Sequence, residues 1–194
     1  TPFEMRCVSP DHAQHTADWL QRWPLHKFPL LLDGERGIGE SSIIIEYLQL
    51  VHAGPVRWLP ADPLAALDVR LLDRFFDLHV MSPVQHAVDA ALSGDAARRQ
   101  EGLAAAAARL ERAYGWIERQ LPRRSWAAGE QFTLADCAAA PALFYADWVH
   151  RIAEAYPLLR AYRARLLARP SFVRAVDEAR SCRGLFPLGA PARD

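Results

Sequence analysis

No long apolar run occurs in this chain. None of its 194 residues falls in a stretch near the roughly 18 consecutive apolar side chains a membrane helix requires. No signal-peptide pattern is evident either, so a protein without membrane partners is expected. Cysteine is scarce. Cys7, Cys137 and Cys182 are odd in number, far apart and without CxxC or zinc spacing. Neither a disulfide framework nor a structural metal site is expected, and a reducing, cytoplasmic location fits best. Excess charge is lacking too. The 23 Lys and Arg equal the 23 Asp and Glu, which leaves no positive field to hold a nucleic acid or an anionic membrane. The local clusters at Arg98-Arg99, Arg123-Arg124 and from Arg160 to Arg174 read as solvated faces. His12 and His15 have a spacing that can bind metal, but no third ligand falls in a recognisable place, so no metal is expected.

What is present is enough apolar sequence, 51% of the chain, to bury a real core. The first fifty or so residues read as mixed α/β. Phe3 to Val8 opens with the alternation of a half-buried strand, which would turn Cys7 inward. Ser9 reads as a helix-entry residue. Asp11 can cap a helix over residues 12 to 23, ending before Pro24. Asp33-Gly34 separates two extended runs and signals a hairpin with a type I′ turn. Ser41 or Ser42 caps a short helix through Val51, stopped by Gly54 and Pro55.

From Asp62 onward the sequence reads as all helix. Asp62 as cap and Pro63 at the first position open a long helix with Leu64, Leu67, Leu71, Phe75 and Leu78 as its apolar stripe, bent at Pro83. A second helix runs from Asp95 to Pro122 on Leu103, Ala106, Leu110, Ala113, Ile117 and Leu121. Further helices start at Thr133 and near Pro157 and Pro170. The expected organisation is an α/β domain over 1–53, a linker over 54–62 and an all-α domain over 63–194.

The most informative stretch is Lys27-Phe28-Pro29 through Glu40-Ser41. A proline heading a strand gives no N–H to the sheet and favours an edge, a bulge or a cis bond. With a cis bond, Phe28 could turn its backbone outward for a peptide-like ligand to pair with. The hairpin returns the chain to the same end, where Glu40-Ser41 opens a helix whose N–H groups and dipole favour a carboxylate. Ser41 can bond that carboxylate and Glu40 an ammonium, the two charges of a free α-amino acid group. Taken singly, Pro29 could simply shape a turn and Ser41 simply cap a helix.

The run KFPLLLDGERGIGESSIIIEYL resembles the glutathione-binding segment of the cytosolic glutathione transferases. The resemblance implies a thioredoxin-like first domain, with Phe28 pairing through its backbone with the cysteinyl part of glutathione and Pro29 as a cis residue. It implies Glu40 and Ser41 at the γ-glutamyl end and Lys27 near the glycyl carboxylate. Thr133 and Asp136, three apart, make a capping-box-like pair flanked by Phe132 and Cys137. This pair resembles the motif opening the core helix of the family's second domain, so Asp136 is expected to be structural. The implied activity joins glutathione to a small apolar electrophile, in a homodimer and without metal. Non-catalytic binding modules and glutathione-dependent thiol or peroxide reductases of the same fold are the alternatives. In the family's layout Phe3 to Val8 would be the second strand. About two dozen residues carrying the first strand, a helix and the catalytic Ser, Tyr or Cys are then expected upstream of Thr1. The alternative register, with Ser9 or Cys7 in the active-site turn, leaves no room for the elements before Pro29. Phe76 and His79, off the apolar stripe of the long helix, are candidate electrophile contacts.

Overall fold

The computed structural model describes residues 2–194, which divide into two units, one running through Pro60 and the other from Ala61. In the first unit a 3-10 turn, Pro10–His12, leads into α1, Ala13–Arg22. Ser9 enters this turn through its carbonyl, which accepts from the His12 N–H and from Thr16 Oγ1, and its hydroxyl caps nothing. Asp11 lies inside the turn and is not the cap expected of it; His12 holds that position. Strands β1, Leu30–Asp33, and β2, Arg36–Gly39, pair antiparallel with Leu30 opposite Gly39 and Asp33 opposite Arg36. The two-residue turn is therefore Gly34-Glu35, one position later than the Asp-Gly pair suggests. Only Gly34 has positive φ, +57°, the requirement of a II′ turn at its first central residue rather than of a I′ turn at both.

Helix α2, Ser41–Val51, follows after Glu40. Two clamps hold the chain around it. Tyr47 Oη and His52 Nε2 both bond Asp33 Oδ2, at 2.9 and 2.6 Å, which ties the turn end of the hairpin to α2. Gln49 Oε1 accepts from the Trp58 and Leu59 N–H groups, fixing the segment after the helix. The strand expected over Phe3 to Val8 does not form. Phe3 and Met5 are 79% and 76% exposed, Cys7 is exposed rather than inward, and no strand pairs with this segment among the described residues. Alternation alone cannot make a strand whose N–H and C=O groups meet no neighbour.

The second unit is helical: α3, Pro63–Phe75; a π-helical segment, Phe76–Met81; α4, Ser82–Leu92; α5, Ala96–Gln120; α6, Leu134–Val149; α7, Pro157–Leu167; and α8, Pro170–Glu178. Asp62 caps α3 through the Ala65 N–H at 2.8 Å, and Asp95 caps α5. The wide π turns precede Pro83, whose ring and missing N–H would clash with a regular ladder, so the long helix changes its winding there.

Of the stripe expected, only Phe75 is buried. Ala66, Val69, Leu72, Phe76 and Val80 face inward, while Leu64, Leu67, Leu71 and Leu78 are 73%, 59%, 60% and 42% exposed. Helix α6 lies at the centre. Its opening carboxylate, Asp136, is fully buried and accepts from the Thr133 N–H and hydroxyl, the Ala127 N–H and Tyr162 Oη, at 2.7 to 3.1 Å. On α5, Glu118 caps α7 by accepting from the Leu158 and Leu159 N–H groups. Burial pushes the Cys137 thiol up to about 12, which leaves it inert at neutral pH.

Candidate functional site

The register of the hairpin decides which groups meet. Because Leu30 stands opposite Gly39, the residues just before β1 and just after β2 lie at one end of the ladder. Phe28-Pro29 and Glu40-Ser41 are those residues. The Phe28–Pro29 peptide is cis. Phe28 is 77% exposed, and among the described residues neither its N–H nor its C=O has a hydrogen-bond partner. A backbone that offers a free donor and acceptor to solvent can pair with an extended ligand as a strand would.

Across this end, Glu40 adopts φ 63° and ψ 115°, a conformation that costs a non-glycine residue about 1–3 kcal/mol. Its carbonyl accepts from the Ile44 N–H at 2.9 Å and so starts α2, while its side chain is exposed and caps nothing. Ser41 is the first residue of α2 and is also exposed. Ser41 contributes a hydroxyl there, and a helix N-terminus presents the positive end of its dipole, both favourable to an anion. The Glu40 carboxylate beside them suits an ammonium.

Lys27 is exposed, and it is the only lysine in the chain. Its carbonyl accepts from Trp19 Nε1 at 3.0 Å, and the Trp19 ring lies 6.3 Å from Phe28 and 6.0 Å from His26. Trp19 thus braces the Lys27-Phe28 segment from α1, a role its sequence context does not announce. Trp23 does the same for the other side of the hairpin end. A Cβ added to Gly39 would come within 2.5 Å of the Trp23 ring, so Gly39 allows the indole to lie against β2.

The two residues proposed from the helical half fare differently. Phe76 has no exposed surface and packs against Phe75 and Tyr162, so it is a core residue that cannot touch a ligand. His79 is exposed, its ring 5.6 Å from that of Phe75. No group of three or more His, Cys, Asp and Glu side chains is placed to hold a metal among the described residues. No helix of the described chain is long and apolar enough to cross a membrane.

Comparison with known proteins bears on both units. Residues 1–49 match the model of the glutathione S-transferase N-terminal domain, and residues 100–165 that of the C-terminal domain. Human glutathione S-transferase theta-2 is 30% identical over 177 residues, which span 86% of this chain and 71% of that protein. The chain belongs to the glutathione S-transferase family. A bovine relative, glutathione S-transferase theta-1, is 40% identical over 62 residues, 31% of this chain and 26% of the relative's length. Among solved structures, a glutathione S-transferase from Methylobacterium radiotolerans in complex with glutathione sulfonate is 32% identical with a TM-score of 0.67. It covers 80% of this chain, and the match spans 74% of that structure. The hairpin unit is accordingly the thioredoxin-like part of a glutathione S-transferase and the helical unit its all-α part.

Proposed function

We propose that this chain binds glutathione at the open end of the β1–β2 hairpin and joins its thiolate to a small apolar electrophile. The reading assigns the unit over 1–53 to glutathione binding, 54–62 to a linker and 63–194 to the all-α unit. Its main support is that an unpaired, exposed backbone at Phe28 and a mixed-charge helix entry at Glu40-Ser41 stand at one end of one ladder. The peptide part of glutathione pairs with the Phe28 backbone beside Pro29. The γ-glutamyl carboxylate takes the Ser41 hydroxyl at the positive end of the α2 dipole, and its ammonium takes Glu40. Lys27 meets the glycyl carboxylate. These contacts fix the cysteinyl thiol in one place, and positioning alone contributes substantially to rate.

The nucleophile is the thiolate; its ordinary pKa near 8.5 must be lowered by a donor close to the sulfur. None of Lys27, Phe28, Pro29, Glu40 or Ser41 is assigned that part. The sulfur lone pair then attacks the electrophilic carbon, a C–S bond forms, and a leaving group departs with the bonding pair. We place the protein in the cytoplasm as a homodimer acting in detoxification.

Calorimetric titration with glutathione and with the dipeptide Cys-Gly tests the binding. The dipeptide lacks the γ-glutamyl end, so it should bind at least roughly ten-fold more weakly, and Ser41→Ala should narrow that gap. Equal affinity for both peptides would remove the assignment of Glu40 and Ser41. Release of halide from an aryl halide, followed with glutathione present, separates transfer from binding alone.

A further inference from the structure

Two arginine clusters that are far apart in sequence meet on the surface of the helical unit. Arg165 Nη1, on α7, donates to the Ser125 carbonyl and so joins α7 to the loop between α5 and α6. Its guanidinium also lies 5.9 Å from the centre of the Trp126 ring. Trp126 meets Phe132 edge to face at 5.0 Å, and the Arg169 guanidinium lies 3.6 Å over Phe132. Guanidinium, ring, ring and guanidinium thus follow one another from α7, across the loop, to the start of α8. Arg124 adds a third cation, held on the same loop by the Ala127 carbonyl at 3.1 Å. The loop is a firm base: Trp126 and Gly129 exchange backbone hydrogen bonds at 2.7 and 3.1 Å, and the Ala127 N–H bonds buried Asp136.

These three arginines bond only neutral acceptors, the third being Ser171 Oγ at 3.1 Å from Arg169 Nε. None forms an ion pair with a carboxylate among the described residues. The one acid in the loop, Glu130, accepts from Ser125 Oγ instead. Other arginines of the same unit are treated differently: Arg74, Arg160 and Arg180 each pair with a nearby acid. The chain has no net charge, so the shortage of acids is local to this surface.

Arg124 and Arg165 are exposed, and Arg169 and both rings are half-buried. Each guanidinium is already held by a ring or a carbonyl, so little side-chain freedom remains to be lost when an anion arrives. Each keeps unused N–H donors, and a guanidinium fork matches the geometry of a carboxylate. We infer that this surface docks a carboxylate-rich segment of a partner protein, laid across the loop and the α7–α8 junction. The forks are tied down separately, which suits successive acidic side chains rather than one small anion. A nucleic acid fits less well, because bases need open ring faces, and guanidinium groups already cover a face of each ring. None of these residues belongs to the hairpin unit, so the surface stands or falls independently of glutathione binding.

Fluorescence anisotropy of a labelled octaglutamate peptide titrated with the full chain tests the assignment. Octaglutamate should bind saturably, more weakly as salt is added, and octaglutamine should bind at least about ten-fold more weakly. Arg165→Glu should cost at least about ten-fold in affinity for octaglutamate, whereas Arg99→Glu, the same change of charge on α5, should cost less than about two-fold. Arg124→Glu leaves the Arg165 contacts in place and should act in the same direction as Arg165→Glu. Unaltered unfolding midpoints show that the variants remain folded. No binding of octaglutamate at millimolar concentration, equal losses in Arg165→Glu and Arg99→Glu, or tighter binding of an oligothymidylate of the same length overturns the proposal.

Discussion

Two acidic residues, each at the start of a helix, are treated in opposite ways by the two units. Asp136 opens α6 with no exposed surface and four hydrogen bonds. Glu40 stands before α2 with an open side chain, a positive φ and no capping bond. The same contrast holds for Phe76, sealed in the core, and Phe28, 77% exposed. In the helical unit, polar groups are satisfied internally and so stabilise the fold. At the hairpin end they are left unsatisfied and held in place by neighbours, which is what a ligand needs.

The largest effect should come from breaking the satisfied side of this comparison. Asp136→Ala orphans the Ala127 and Thr133 N–H groups and the Tyr162 hydroxyl, so a loss of at least about 3 kcal/mol is expected in urea unfolding. A loss under about 1 kcal/mol would mean that the carboxylate only caps. Next comes Gly39→Ala, whose methyl must displace the Trp23 ring and should cost about 1–3 kcal/mol. Amide exchange should show that cost in the hairpin unit, with the α6 amides unmoved.

Smaller still is the strain at Glu40. Glu40→Gly and Glu40→Ala both remove the carboxylate, but glycine accepts φ 63° freely and should leave the unit about 1 kcal/mol more stable than alanine does. Equal stability would show that the backbone relaxes there.

The acid response is the mildest test. Hydrogen bonds from His52, and then from Tyr47, hold the Asp33 carboxyl below its ordinary value of 3.8. A carboxyl lowered in the folded state contributes stability above its unfolded pKa and loses it as pH falls through the folded one. The stability gap between the natural chain and Asp33→Asn should therefore stay constant from neutral pH to about 5 and close in stronger acid. A gap independent of pH would remove the clamp.

Much of this arrangement was legible beforehand. Pro29, the Asp33-Gly34 region and Ser41 mark a strand, a turn and a helix start, and Asp62, Asp95 and Thr133 mark helix entries. The turn came out one residue late because Gly34 alone supplies the positive φ that the loop requires. Apart from Phe75, the apolar stripe that spacing marks on α3 faces outward, for a physical reason. Leu64, Leu67 and Leu71 keep helical spacing as well as Ala66, Val69 and Leu72 do, and periodicity does not say which of two apolar faces meets the core. The alternation at Phe3 to Val8 lacked a neighbouring strand, which is a tertiary condition. The conformation of Glu40, the brace from Trp19 to Lys27 and the seat of Trp23 on Gly39 arise from packing and carry no local signature.

The most direct test is the amide spectrum of the 15N-labelled chain titrated with glutathione. Saturable shifts should be largest at the amides of Phe28 and Ser41, with that of Asp136 unmoved. Shifts confined to the helical unit, with the Phe28 amide silent, would contradict a ligand seated at the end of the hairpin.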